Sequence, residues 1–216
     1  MVPLERCPNF KPGQFLHLAI DNYNPGFHWP ESRVFSIASS PSRPDEIKIT
    51  FSVKGEYTSR MFNEIKTKDI VWLKFPYGSF TFDKHKNLIF VAGGTGITPF
   101  LSYLENAIDT NIDNNIRMFY GVRKSEYLIF DSLLEECKKS LENFDYELFI
   151  EQGDKSLKNK PKVNIGILDI NKIIKSANSS ETAFYLAGPQ EMIVSFQRTM
   201  VSNGISQDRI FVDEWE

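Results

Sequence analysis

Val91-Ala-Gly-Gly-Thr-Gly-Ile-Thr-Pro-Phe100 decides the fold, because it builds a backbone able to hold phosphates. It continues the apolar run Asn87-Leu-Ile-Phe-Val-Ala92, which is bounded by polar residues and reads as a buried parallel strand. It leads into Phe100-Leu-Ser-Tyr-Leu-Glu-Asn-Ala-Ile108, where apolar residues at 100, 101, 104, 107 and 108 recur at helical spacing. Thr98 reads as the N-cap and Pro99 as the first helical position, where a missing N–H costs nothing. Strand, glycine-rich turn and helix N-terminus together present free amides and a positive dipole end to an anion. Gly94, Thr95, Gly96, Thr98 and Pro99 are therefore candidate contacts for the phosphates of a dinucleotide.

The spacing departs from the dinucleotide fingerprint Gly-x-Gly-x-x-Gly, since Pro99 stands where the third glycine would be. No Lys-Ser or Lys-Thr follows, which excludes the phosphate loop of the nucleotide triphosphatases. Taken alone, the stretch also fits a plain tight turn between strand and helix.

The chain has 216 residues, 41% of them hydrophobic and 25% charged, enough to bury one large core or two smaller ones. A net charge of -3 leaves no broad basic face, which argues against a nucleic-acid partner. No apolar run approaches ~18 residues, so no membrane span is expected. The N-terminal residues lack the basic-then-apolar pattern of a signal peptide. Two cysteines, Cys7 and Cys137, lie far apart, fit a reducing, cytoplasmic location and are too few for an iron–sulfur cluster. His17, His28 and His85 have no metal-ligand spacing, and no metal is assigned.

The two halves differ in pattern. In residues 1–84, Gln14–Ile20, Arg33–Ala38, Ile47–Val53 and Ile70–Phe75 are rich in β-branched and aromatic residues and flanked by Pro, Gly, Asp or Asn. Phe80-Thr-Phe82 is a shorter fifth candidate, and one short helix is expected at 58–65. This density of short strands predicts a small antiparallel β-barrel. Residues 85–216 alternate instead, with strands expected at 88–92, 117–121, 146–151, 183–187 and 209–212. Helices are expected at 99–109, 128–143, 169–176 and 190–203, which predicts an α/β domain of the Rossmann type with a parallel sheet. Lys155–Lys162 reads as an exposed basic loop.

In the first half, Arg33-Val-Phe-Ser36 is followed about twenty residues on by Val53-Lys-Gly-Glu-Tyr-Thr-Ser-Arg-Met61. Gly55 opens a turn, and Thr58 and Ser59 can cap the helix that follows. A pyrophosphate fits those amides, with Arg33 as donor of two parallel charge-assisted bonds. Here the chain resembles the ferredoxin–NADP reductase superfamily. The flavin signature Arg-x-aromatic-Ser is met by Arg33, Phe35 and Ser36, and Gly-x-x-Thr with a later apolar residue by Gly55, Thr58 and Met61. Pro76, Gly78 and Phe80 meet the element that closes the barrel, and Gly93 through Pro99 the nucleotide signature Gly-Gly-x-Gly-Ile-x-Pro. Gly121 and Arg123 meet a Gly-x-Arg turn, and Gly188 and Pro189 a late Gly-Pro turn. The matches run in order over nearly the whole chain.

The resemblance implies FAD on the barrel and NADH or NADPH on the second domain. It places Phe35 against the flavin ring and Ser36 near N5, the atom that accepts hydride. It sets the flavin phosphates among Arg33, Val53, Lys54, Gly55, Tyr57, Thr58 and Ser59. The dinucleotide would meet Gly94, Thr95, Gly96, Thr98, Pro99, Arg123, Gly188 and Pro189. Each residue has a plainer alternative: Arg33 as a surface cation, Phe35 as a core aromatic. Trp72 and Phe75 are assigned to the core.

Where NADP-using relatives carry a Ser-Arg pair, this chain has Glu151-Gln152, so a carboxylate would repel a 2′-phosphate and favour NADH. A register shift of two residues would bring Lys155 or Lys158 there instead. Many relatives have Cys-Gly-Pro beside the nicotinamide; here it is Ala187-Gly188-Pro189. At the C-terminus, Trp215 is a candidate to cover the flavin face and Glu214 to assist proton delivery, with an exposed tail as the alternative. Few residues precede Pro12, so the first barrel strand is expected to be short or missing, from truncation or with an exposed edge. The resemblance implies a reductase passing hydride from the nicotinamide to FAD and electrons to a separate acceptor. That acceptor could be a ferredoxin, a haem protein, an oxygenase component or a small molecule. A flavin- and nucleotide-binding regulatory relative without turnover, and a flavin-free dehydrogenase, are the alternatives.

Overall fold

The computed structural model describes residues 1–82, 84–153, 161–177 and 179–213. Glu214, Trp215, Lys155 and Lys158 lie outside them. The larger sheet is wholly parallel. It comprises β4 (Asn87–Gly93), β5 (Asn115–Val122), β6 (Phe144–Ile150), β7 (Val163–Ile165), β8 (Ala183–Ala187) and β9 (Ile210–Val212) in the order β7-β6-β5-β4-β8-β9. Strands buried on both faces explain why β4 reads as a continuous apolar run rather than an alternation.

Along β4 the side chains divide between two layers. Leu88, Phe90 and Ala92 join the core made with α2 (Thr98–Thr110) and α3 (Asp131–Ser140). Ile89 and Val91 join the opposite core, made with α4 (Ile170–Lys175) and α5 (Gln190–Ser202). The expected strands and helices of this half are all present, within a few residues at each end. Strand β7 was not foreseen; three residues give no periodicity to read. From β4 the chain winds outward through β5, β6 and β7, then crosses back to place β8 on β4's other side. The order reverses between β4 and β8, and ligands of open parallel sheets bind in such a crevice, at the carboxyl ends of the strands.

The first half holds a three-stranded antiparallel sheet of β1 (Phe15–Ala19), β2 (Arg33–Ser36) and β3 (Trp72–Tyr77), in the order β2-β1-β3. Leu16 and Leu18 of β1 face a core shared with Phe35, Ile37, Ile47 and the Tyr57 and Met61 of α1 (Glu56–Glu64). Barrel closure is not drawn by strand pairing among the described residues. The run Ile47–Val53 forms no strand: Ala38 N–H donates to Lys48 C=O at 2.8 Å, and Met1 and Ile47 bond each other's backbones. Its β-branched residues gave it a strand reading, yet only its first two residues find backbone partners among these bonds. Phe80–Phe82 is likewise no strand. Both rings insert into the core of the second sheet, Phe80 edge-on to Phe100 and Tyr185, and Phe82 against Phe90 and Tyr103. Burial of two aromatics there joins the halves, an outcome that alternation alone does not distinguish from a strand.

Candidate functional site at the carboxyl edge of the parallel sheet

Beyond β4 the chain makes a single 3₁₀ turn, Gly94–Ile97, and enters α2. Ile97 is the N-cap, so Thr98 and Pro99 each sit one position deeper in the helix than the sequence reading placed them. Thr98 is buried, and its hydroxyl donates to Thr95 C=O at 2.7 Å, which ties the turn to the helix it opens. Gly94 and Thr95 are exposed, while Pro99 is buried.

The glycines of this turn do different work. Gly94 has φ +56, and a Cβ there would meet nothing within 4 Å, so open space lies above it. A Cβ on Gly96 would lie 2.4 Å from the carbonyl carbon and oxygen of Ala187 and 2.5 Å from Gly188 N. Gly96 therefore lets the turn pack against the end of β8, where any side chain would collide with backbone. Gly188, at φ +151, closes on Gly93 from the other side. A cradle with open space at Gly94, beside a helix N-terminus and at the switch point, fits the pyrophosphate of a dinucleotide.

Arg123 and Glu151 are exposed at the carboxyl ends of the neighbouring strands. Glu151 N–H donates to Val122 C=O at 3.0 Å and Gln152 N–H to Arg123 C=O at 2.8 Å, so the pairing of β5 and β6 runs on into this edge. Gly188 and the exposed Pro189 complete it between β8 and α5.

Asp213 escaped the sequence reading, which fixed on Glu214. Its N–H donates to Leu186 C=O at 2.9 Å, which places it beside Ala187 at the end of β8. It is 8% exposed, and burial pushes its carboxyl up to about 7. The available signal was its position, one residue past the last parallel strand. A folded pKa above the unfolded value means that the folded chain holds the proton more tightly. Stability from this group is thus full below about pH 4 and falls as pH rises through about 7. Asp213→Asn is expected to raise Tm at pH 8 by more than at pH 4.5, through a penalty on the order of 2–4 kcal/mol. Equal shifts by calorimetry at both pH values would contradict this.

On the first sheet, Arg33 stands at the start of β2. Its guanidinium meets Glu31 at 2.6 Å, donates to Ser32 C=O at 2.9 Å and lies 4.7 Å from the centre of the Tyr57 ring. Tyr57 is anchored in turn, donating to Leu18 C=O at 2.7 Å and accepting from Ile20 N–H at 3.2 Å. Arg33 thus lies over the first turn of α1, whose opening amides lack helical acceptors. Gly55 is the N-cap, and Thr58 Oγ1 accepts from Lys54 N–H at 3.0 Å and Gly55 N–H at 3.2 Å. Val53, Lys54 and Gly55 are exposed, Thr58 and Ser59 half-buried, and a Cβ on Gly55 would meet nothing within 4 Å. A cation, an open glycine and a helix N-terminus fit a flavin's phosphates. Ser36 is buried, and Phe35 is buried in the core with its ring 5.9 Å from that of Phe51, the placement of a core aromatic.

A family model described as the oxidoreductase NAD-binding domain matches residues 90–198. The chain belongs to this family. It sits within the ferredoxin–NADP reductase superfamily, as the motifs implied. The reductase component of propane 2-monooxygenase from Mycolicibacterium smegmatis is 29% identical over 214 residues, covering 96% of this chain and 59% of that protein. The reductase component of phenol 2-monooxygenase from Pseudomonas sp. strain CF600 is 27% identical over 218 residues, covering 99% of this chain and 60% of that protein. The chain therefore spans about three-fifths of the length of these relatives. Among solved structures, the Amycolatopsis cytochrome P450 reductase GcoB superposes with a TM-score of 0.79 at 19% identity, over 98% of this chain and 62% of that one. A ferredoxin NADP+ reductase from Neisseria gonorrhoeae with bound FAD and NADP gives a TM-score of 0.72 at 21% identity, over 94% and 86%. These two establish the shared fold. No helix among the described residues is long and apolar enough to cross a membrane.

Proposed function

We propose that this chain is the flavin- and nicotinamide-binding part of an electron-transfer reductase, taking hydride from NADH and passing electrons to a separate protein. The observation that carries this reading is the pair of anion cradles. One lies at Gly94 before α2, the other at Arg33 and the first turn of α1, and each combines an open glycine with a helix N-terminus. Bound flavin supplies a relay that accepts two electrons as hydride and releases them singly or together. The chain's own residues bind and orient. Arg33 and the amides from Glu56 to Thr58, beside the open Gly55, hold the flavin phosphates, the buried Ser36 lies on the same strand toward the flavin ring, and the Gly94–Ile97 turn holds the dinucleotide. Asp213, buried at the end of β8, is placed to hold a proton near that edge.

The working division is 1–84 for the flavin module and 85–216 for the nucleotide module, with Phe80 and Phe82 joining the two. The relatives named as monooxygenase reductase components favour an oxygenase component as the acceptor.

Glu151 supports a preference for NADH. Exposed at the edge, it would repel a 2′-phosphate and accept from a free ribose hydroxyl. Glu151→Ser with Gln152→Arg is expected to move the NADH:NADPH ratio of kcat/KM at least tenfold toward NADPH. An unchanged ratio would place the discriminating residue elsewhere.

The deciding experiment is the visible spectrum of the purified protein after loading with FAD and desalting, followed by anaerobic titration with NADH and then NADPH. Retained flavin bands that bleach with NADH support the reading. Bands that resist both nucleotides, or no retained flavin, overturn it.

A further inference from the structure

Helix α2 carries the Gly94–Ile97 turn at its start and a polar stripe along the turns that follow. Ser102, Glu105, Asn106 and Asp109 recur at intervals of three and four, so they share one helix face. Against that face runs segment 39–48, which continues directly from β2, the strand of Arg33 and Ser36. Ser102 Oγ donates to Ser39 C=O at 2.7 Å. Glu105 accepts from Ser40 N–H at 3.4 Å and from Lys48 Nζ at 3.2 Å, and Arg43 lies 3.6 Å away. Asp109 accepts from Ser42 Oγ at 2.5 Å and from Arg43 Nη2 at 2.6 Å. The side chains of Glu105 and Asp109 are only 13% and 19% exposed, which sets these pairs apart from ordinary surface ion pairs. The Arg43 guanidinium holds the Asp109 carboxyl below the usual carboxylate range, so that pair stays charged at neutral pH.

These contacts connect α2, which follows one cradle, to the segment that follows β2, the strand that carries Arg33 of the other. Glu105 lies seven residues from the start of α2, about 10 Å along a helix. Ser39 lies three residues beyond Ser36 and six beyond Arg33, at most about 10 and 20 Å along the chain. Ser102, at the N-terminal end of the contact, is fully buried. Hydride transfer demands that the reacting atoms approach to about 3–3.5 Å, and a misplacement of about 1 Å costs roughly 100-fold in rate.

We propose that Glu105 and Asp109 are positioning residues: by fixing α2 against the segment that continues from β2, they set the spacing between nicotinamide and flavin. The inference rests on the function proposed above. The step they serve moves a hydride, two electrons with one proton, from the reduced nicotinamide to the flavin, and oxidised nicotinamide leaves. Neither residue touches a cofactor in this scheme. Their loss is therefore expected in the rate of transfer and not in the binding of either partner.

Three measurements test it. In cofactor-free protein, Glu105→Ala should speed amide hydrogen exchange across residues 39–48. In FAD-loaded protein, the same variant should leave the Kd for FAD and for NADH within about twofold of wild type. Its limiting rate of flavin reduction at saturating NADH, by anaerobic stopped flow, should fall about tenfold. Arg43→Asp should slow the reaction similarly, and Arg43→Asp with Asp109→Arg should recover most of the rate, which a loss of general stability would not do. Unchanged exchange, a limiting rate within twofold of wild type, or failure of the swapped pair to recover it overturns the inference alone. A wild-type protein that binds FAD but is bleached by neither nucleotide overturns the function first and this inference with it.

Discussion

Arg33→Ala is expected to weaken FAD binding about 100-fold while leaving the chain folded. Two charge-assisted bonds from a guanidinium to phosphate are worth about 3 kcal/mol together, and each 1.4 kcal/mol is tenfold in Kd. The side chain is already aimed for the task. Its contact with the Tyr57 ring holds it over the first turn of α1, and Tyr57 is itself fixed by its bonds to Leu18 and Ile20. Glu31 is the only carboxylate paired with it among the described residues, and that pair is half-exposed on both sides. Its loss should cost under about 1 kcal/mol, so Tm should move by no more than a few degrees. Arg33→Lys is expected to fall between, because an ammonium offers a point charge and no planar fork. Fluorescence quenching on FAD titration measures all three. Wild-type affinity in Arg33→Ala would remove this residue from the site and turn attention to Lys54 and the helix amides.

The parallel sheet was legible in the sequence because strands buried on both faces become unbroken apolar runs, and β4 and β8 are such runs. Helix α5 was legible because it buries a single face, Ile193, Phe196 and Met200, which stamps the helical period on the sequence. Helix α2 keeps that period in its apolar residues although its first two turns are buried all round. The antiparallel half was harder. Ile47–Val53 has the composition of a strand, but a strand is defined by a partner, and composition does not name one. Phe80 and Phe82 pack into one core, as residues i and i+2 of a strand would, and only a strand partner, which neither has among the described residues, would tell the two cases apart. At the site, the motif residues were legible because phosphate recognition by backbone leaves glycines at fixed spacing. Asp213, Glu105 and Asp109 were not, because a carboxylate's role depends on what surrounds it after folding. In the sequence Glu105 and Asp109 look like a solvated helix face, and only the approach of segment 39–48 buries them.

The glycines at 94 and 96 should fail in opposite ways, and the contrast tests the cradle directly. Spacing made both glycines candidate phosphate contacts, but a side chain would meet protein backbone at 96 and open space at 94. At position 96 even one methyl group collides with the Ala187 carbonyl and Gly188 N, all of it backbone at the end of a buried strand, with no flexible side chain to yield. Gly96→Ala is therefore expected to cost about 2–3 kcal/mol of stability, a drop in Tm of roughly 5–10 °C for a chain of this size. FAD should be lost with it only as the protein unfolds. At position 94 the methyl group meets open space, so the fold loses only the cost of a left-handed residue, about 1 kcal/mol. That same space is where a phosphate would approach, and Gly94→Ala should raise the Kd for NADH about tenfold with the flavin still bound. Paired thermal melts and NADH titrations separate the two. Should Gly94→Ala bind NADH normally, the dinucleotide does not lie over this turn. Should Gly96→Ala melt like wild type, the close approach of the turn to β8 is not what holds the cradle in shape.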